Sequence, residues 1–468
     1  MPGRKFQTTV SSLLPILVLL GASLFDPQSG QPPQTAKPKK EQKPPRISSH
    51  IVLITISGLR ADAVNNPNLA RMPAIQSLRE KGVHAVGLES VFPTQTNPAH
   101  ASLITGTLPA DHGITSDFPF NEQTATQAAD PYRLAREIKT EAIWEYVRRE
   151  GFTVAAAGFP LTVGANIKFN VHPATPEESQ SAVQLRGELL SALKTETTVG
   201  EKSKSVIQPA DLFNTEAVVY LIGKHRPNLT MINFTSLELA QQRYGISAKE
   251  TAATLEGIDR LVEKIVGAVH QTGQAADTSF FILSDYGAAK VEHEFRPNVL
   301  LARKGWLTPN GKGEITSWRA VAQTFGGSAA IFVRNPQDET FVRELEALFN
   351  EHHKKPDSAI WRVLPHLDAA RLGADPRPAL FLDAAPTYTM SDSFGGSSTS
   401  DANSRAAHGY SPSRSEMRAA LILSGRGIKS GGRIEYARLI DIAPTIARLL
   451  GLEMKTARGR VLTEAIAP

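Results

Sequence analysis

The segment His50-Ile-Val-Leu-Ile-Thr-Ile56 is apolar without alternation and stops at Ser57-Gly58. Continuous apolarity over a strand length describes a strand covered on both faces, as in a mostly parallel sheet. Thr153–Ala157, Leu229–Phe234, Ser279–Leu283 and Ala419–Leu423 repeat the pattern. Between them, helical spacing covers Met72–Lys81 (closed by Gly82), Ile138–Glu150, Asp211–Lys224, Ala248–Thr272, Asp338–His352 and Ile440–Leu450. Strands alternating with helices predict an α/β fold: a three-layer α/β/α sandwich with a largely parallel central sheet. The polar, irregular stretch Leu161–Pro209 interrupts the alternation and is expected to be a small cap insertion. Ser391–Ala407, rich in Ser, Gly, Asp and Asn, has the composition of a loop.

The first 46 residues read differently. Arg4 and Lys5 precede the apolar run Leu13–Phe25, the layout of a secretory signal. The run is shorter than the ~20 residues that a membrane span requires. Residues 1–25 are therefore expected to be a signal peptide or a signal anchor, and the protein to be exported, periplasmic or extracellular. An uncleaved anchor would tether it to the membrane. Asp26–Pro45 is Gln-, Pro- and Lys-rich and cannot bury enough apolar surface to offset its ordering entropy. Residues 26–46 are expected to form a disordered linker, and 47–468 the folded domain. The formal net charge is +5. Residues 1–46 hold seven basic and two acidic side chains, which is the entire excess. The folded body is neutral, so no nucleic-acid partner is expected. The chain has no cysteine, which excludes disulfides, thiolate zinc sites and a lipoprotein anchor.

Four blocks carry the polar punctuation of this alternation. The first is Ile54-Thr-Ile-Ser-Gly-Leu-Arg-Ala-Asp62. The second is Val91-Phe-Pro-Thr-Gln-Thr-Asn-Pro-Ala-His100, followed by Ser102-Leu-Ile-Thr-Gly106 and His112-Gly-Ile114. The third is Ala240-Gln-Gln-Arg-Tyr-Gly245, leading to Leu283-Ser-Asp-Tyr-Gly287. The fourth is His408-Gly-Tyr410 with Met417-Arg-Ala419 and Asp441-Ile-Ala-Pro-Thr-Ile446. In this order they resemble the signature blocks of the type I phosphodiesterase/nucleotide pyrophosphatase family, within the alkaline phosphatase superfamily.

The resemblance implies a threonine nucleophile flanked by two zinc ions, which stabilise the attacking and leaving oxygens. Thr96 falls at the nucleophile position; read without the family, it is equally an N-cap threonine. Six Asp and His ligands are implied. Asp285 and His408 keep theirs, and Glu238 replaces an aspartate. Ser57, Gln242 and Tyr286 stand where an aspartate and two histidines are implied. Ala99 replaces the asparagine that helps hold the substrate phosphate. Serine is a poor zinc ligand, and glutamine and tyrosine are seldom used. His100 and His112 lie in family blocks outside the ligand positions and read as structural. His293, between Glu292 and Glu294, reads as part of a solvated turn.

Three functions compete on these residues. The first is a pseudoenzyme that keeps the scaffold and cleft, binds no zinc pair, and takes a phosphate-containing small molecule without turnover. The second is a divergent hydrolase of phosphodiester or phosphomonoester bonds, with Asp285, His408 and Glu238 on one divalent metal beside Thr96. The third is an envelope-tethered binding protein.

Overall fold

The computed structural model describes residues 43–66, 69–172, 206–310 and 314–468, together with 185, 187–189 and 191. Residues 1–25 and nearly all of 26–46 lie outside the described residues, so the signal and linker expectations fall there.

The apolar runs become the centre of one eight-stranded sheet. Along the chain its strands are β1 (His50–Ile56), β2 (Val83–Ala85), β3 (Val154–Ala157), β4 (Phe169–Val171), β5 (Leu229–Phe234) and β6 (Thr278–Leu283). Leu421–Gly425 and Gly432–Ile434, far along the chain, complete it as β12 and β13. The order is β13-β2-β12-β6-β1-β5-β3-β4. β1 pairs in parallel with β5 and β6, and β3 in parallel with β4 and β5. Only β12 runs antiparallel to its neighbours, β2 and β6.

The pleat explains why these runs do not alternate. Ile51 and Leu53 of β1 join a buried cluster on one face with Phe281, Leu283, Leu103 and Ile446. Val52, Ile54 and Ile56 join a second cluster on the other, with Phe280, Ile282, Leu221 and Ile265. Helices cover both faces. The first receives α2 (Thr96–Thr105), α3 (Ile143–Arg149) and α8 (Ile442–Leu449). The second receives α1 (Pro73–Lys81), α4 (Pro209–His225) and α6 (Lys249–Gln271). This is the expected sandwich.

Within Leu161–Pro209, Phe169–Val171 supplies the edge strand β4, and most of 173–205 lies outside the described residues. His293 is on strand β7 (Ala289–Phe295) rather than in a turn. A four-stranded antiparallel sheet forms from β8 (Ala320–Thr324), β9 (Ser328–Val333), β10 (Ile360–Pro365) and β11 (Leu380–Ala384), in the order β8-β9-β11-β10. It packs with α7 (Glu339–His353) in a third buried cluster. The turn between β8 and β9 supports the site, because the Gly327 N–H donates to the His408 carbonyl at 2.7 Å. Among the described residues no helix is long and apolar enough to cross a membrane.

Candidate active site

Ligands of open, mostly parallel sheets bind at the carboxyl ends of the strands, and there the sequence blocks converge. β1 is followed directly by Ser57, β6 delivers Ser284, Asp285 and Tyr286, and β5 leads into α5 (Ser236–Tyr244), which carries Glu238 and Gln242 one turn apart. Thr96 is the first residue of α2, after the extended stretch that contains Gln95 at the N-cap. Its hydroxyl makes no cap bond; it meets the Tyr286 phenol at 2.7 Å. His408 is held by a turn that only glycine permits. Gly409 has φ +90°, and a Cβ there would sit 1.6 Å from the Phe325 carbonyl oxygen.

Two hydrogen-bonded groups form. In the first, the Ser57 hydroxyl donates to Asp285 Oδ2 at 3.0 Å, and the Tyr286 N–H donates to Asp285 Oδ1 at 3.0 Å. Asp285 is fully buried, and its pKa is pushed up to about 7 by that burial and by the charge of Glu238, against the Ser57 bond. His100 Nδ1 donates to the Thr96 carbonyl at 2.9 Å and lies 3.5 Å from Asp285 Oδ2. Burial brings its pKa down to about 4, so the ring is neutral. His112 is likewise neutral, with Nε2 2.8 Å from Ser102 Oγ.

The second group is built around Glu238. Its Oε1 accepts from Gln242 Nε2 at 2.8 Å and from His408 Nε2 at 3.1 Å. Its Oε2 accepts from the Tyr286 hydroxyl at 3.2 Å. Tyr286 thereby uses its one proton on Glu238, so Thr96 donates to the Tyr286 oxygen. Both ring nitrogens of His408 face acceptors, since Nδ1 lies 2.9 Å from the Thr94 carbonyl. A ring with two acceptors is an imidazolium. Burial opposes that charge, but Glu238 and Asp117 outweigh it and hold the His408 pKa up at about 9. Burial would also raise Glu238, yet His408, Tyr286 and Gln242 bring its pKa below the usual value. Tyr286, fully buried, stacks on His408 with ring centroids 4.3 Å apart. Burial and the charges of Asp285 and Glu238 push its phenol well above its ordinary pKa, so it stays protonated.

The structure brings Glu238, Gln242, His408, Tyr286 and Thr96 into one chain of bonds and leaves Asp285 in the other group. Ala99 is buried in α2 and presents only a methyl. No motif points to Asp117, whose Oδ1 accepts the Asn97 N–H at 2.8 Å at the start of α2. An anion at a helix N-terminus is favoured by the unpaired amides there. Only the fold reveals that this carboxylate fills the position.

These donors do not fit a zinc pair. A zinc site turns lone pairs of imidazole and carboxylate towards a cation. Here Gln242, His408 and Tyr286 turn hydrogens towards one carboxylate, an arrangement around an anion. Among the described residues no group of three or more His, Asp or Glu side chains is arranged to hold a metal ion. The recess between Glu238, Gln242, Tyr286 and His408 has no volume that a water molecule could enter.

Removing the Tyr286 hydroxyl tests this packing. Tyr286→Phe is expected to cost about 1–3 kcal/mol, since Thr96 and Glu238 each lose a buried partner. The readout is the urea midpoint near pH 7; an unchanged midpoint would show that the chain of bonds contributes nothing.

The fold and the position of the site define an alkaline phosphatase-like α/β protein. Murine ectonucleotide pyrophosphatase/phosphodiesterase 5 superposes with a TM-score of 0.65 at 16% identity, covering 89% of this chain and 100% of that one. An inactive variant of the same murine protein, in complex with AMP, matches with the same score and covers 90% of this chain. The model for type I phosphodiesterase/nucleotide pyrophosphatase matches residues 51–411, and the chain belongs to that family, which is typically zinc-dependent. A pyrophosphatase/phosphodiesterase of Schizosaccharomyces pombe is 23% identical over 281 residues, 57% of this chain and 52% of that protein. Ectonucleotide pyrophosphatase/phosphodiesterase 1 of Saccharomyces cerevisiae is 22% identical over 256 residues, 51% of this chain and 34% of that protein. The chain thus spans about half or less of these curated relatives.

Proposed function

We propose that this family member is a pseudoenzyme: an exported phosphodiesterase-like scaffold whose cleft binds a small molecule without hydrolysing it. The observation that carries this reading is the chain Thr96–Tyr286–Glu238–His408. Ionising a threonine near pH 7 calls for a metal or a general base. The Thr96 proton points to a neutral phenol, and the carboxylate behind that phenol is already paired with an imidazolium. Glu238 is therefore a poor base, and the two-metal route has no ligand set. Export is supported by Arg4 and Lys5 ahead of the apolar run, and by relatives named as ectonucleotide enzymes. The murine neighbour solved with AMP supports a small-molecule ligand for the cleft.

The test is turnover of an aryl phosphodiester by the wild type and by Thr96→Ala, with zinc supplied. Equal, near-background rates in both are expected. A rate that disappears with Thr96→Ala would establish catalysis and end this reading.

A further inference from the structure

A cavity of about 470 Å³ lies between α1 and α6, over the amino-terminal half of β6, whereas the cleft lies past the carboxyl end of that strand. Its volume is within the ordinary size range of small-molecule pockets. α1 lines it with Ser77, Leu78 and Lys81, and α6 with Glu263, Val266 and His270, each set spaced to share one helical face. The floor is Phe280 of β6 and its register partner on β12, Ser424. Successive strand side chains point to opposite faces. Ser424 therefore points with Ile422 towards the face that α1 and α6 cover.

Three of these side chains lack the partners that their chemistry calls for. Ser424 is only 3% exposed, and its hydroxyl has no hydrogen bond among the described residues. Buried hydroxyls are nearly always bonded, and this one faces the cavity. Lys81 and Glu263 are exposed at the rim on different helices, and among the described residues neither has an ion pair or a hydrogen bond. The neighbouring carboxylate, Asp259, is engaged, accepting the Ala74 and Ile75 N–H groups at 3.1 and 2.8 Å. A cation and a carboxylate that line one cavity without meeting each other are bridged by a molecule that carries both charges. Between them Leu78, Val266 and Phe280 present an apolar surface.

From this we infer that the cavity binds a free amino acid with an apolar side chain, its carboxylate on Lys81 and its ammonium on Glu263. The apolar side chain lies on Phe280, where a polar one would be desolvated without a partner. The Ser424 hydroxyl either donates to the carboxylate or accepts from the ammonium. Exposed ion pairs contribute little singly, so binding depends on both charges acting together with the apolar contact. The inference is independent of whether the cleft turns over a phosphodiester.

Calorimetric titration of the full chain with L-leucine, 4-methylpentanoate and 3-methylbutylamine separates the two charges. The second probe is leucine without its ammonium, and the third is leucine without its carboxylate. Leucine is expected to bind at least tenfold more tightly than either. Lys81→Met is expected to weaken leucine at least fivefold and to leave 3-methylbutylamine unchanged. Glu263→Gln is expected to weaken leucine by as much and to leave 4-methylpentanoate unchanged. Both side chains are exposed, so both variants are expected to fold like the wild type. Leucine failing to bind, either analogue binding as tightly as leucine, or leucine binding unchanged in either variant would overturn the inference.

Discussion

Glu238→Ala is expected to destabilise the protein by about 3 kcal/mol, the lower end of the cost of leaving a buried charge without its partner, because Glu238 and His408 both keep some exposure. Glu238 accepts bonds from Gln242, His408 and Tyr286, so its removal strands all three donors. The penalty should depend on pH in a definite sense. The folded pKa of His408 is raised to about 9 from 6.5. That stabilisation is fully present below pH 6.5 and is lost as pH rises through 9. Over the whole range it amounts to about 3 kcal/mol at ~1.4 kcal/mol per pKa unit. Glu238 has the opposite shift, so its own contribution is present above its unfolded pKa and is lost as pH falls through its lowered folded pKa. The difference between wild type and variant should therefore be largest between about pH 5 and 6.5 and shrink towards pH 9. Asp285, raised to about 7, favours the protonated folded state and makes stability fall as pH rises from about 4 to 7. Glu238 is the second cause of that rise after burial, so the variant keeps a reduced version of the slope. Urea unfolding of both proteins from pH 5 to 9 measures these trends; a difference that grows towards pH 9 would show that His408 is not held as an imidazolium.

The other large effect runs in the direction of gain. Ser57→Asp, Gln242→His and Tyr286→His together are expected to raise zinc affinity by on the order of a hundredfold or more. Outer-shell partners alone are worth about 10–100-fold in metal affinity, and part of that shell is in place. His408 Nδ1 donates to the Thr94 carbonyl, the second-shell bond that presents Nε2 to a metal. Asp285 is oriented by the Tyr286 backbone N–H, which survives the substitution. Replacing the tyrosine also removes the ring stacked against His408 and its hydroxyl between Thr96 and Glu238. Competition with a chromophoric chelator provides the readout. Unchanged affinity in a folded triple variant would mean that more than the ligands has diverged.

Much of the central sheet was legible because a strand buried on both faces leaves a continuous apolar run. β1, β3, β5 and β6 stand within a residue or so of the runs that predict them. The second sheet was not legible. Ala320–Thr324 and Ala329–Ala330 are alanine-rich and carry neither strand nor helix period, and they become strands through pairing: β8 with β9, and β9 in turn with the distant β11. In the site, the motifs placed Thr96, Glu238, Gln242, Tyr286 and His408 near one another. They did not show that Glu238 is the centre of the group, because hydrogen-bond direction depends on geometry. Asp117 was invisible for a related reason. An aspartate some twenty residues after a helix start gains meaning only when the chain returns it to that helix.

The direct measurement is the zinc content of purified wild-type chain after dialysis against micromolar zinc at neutral pH. Well under one ion per chain is the expected value, since hydrogens rather than lone pairs converge at Glu238. Two firmly held ions per chain, lost when Asp285 or His408 is replaced, would contradict the account and restore the two-metal hydrolase.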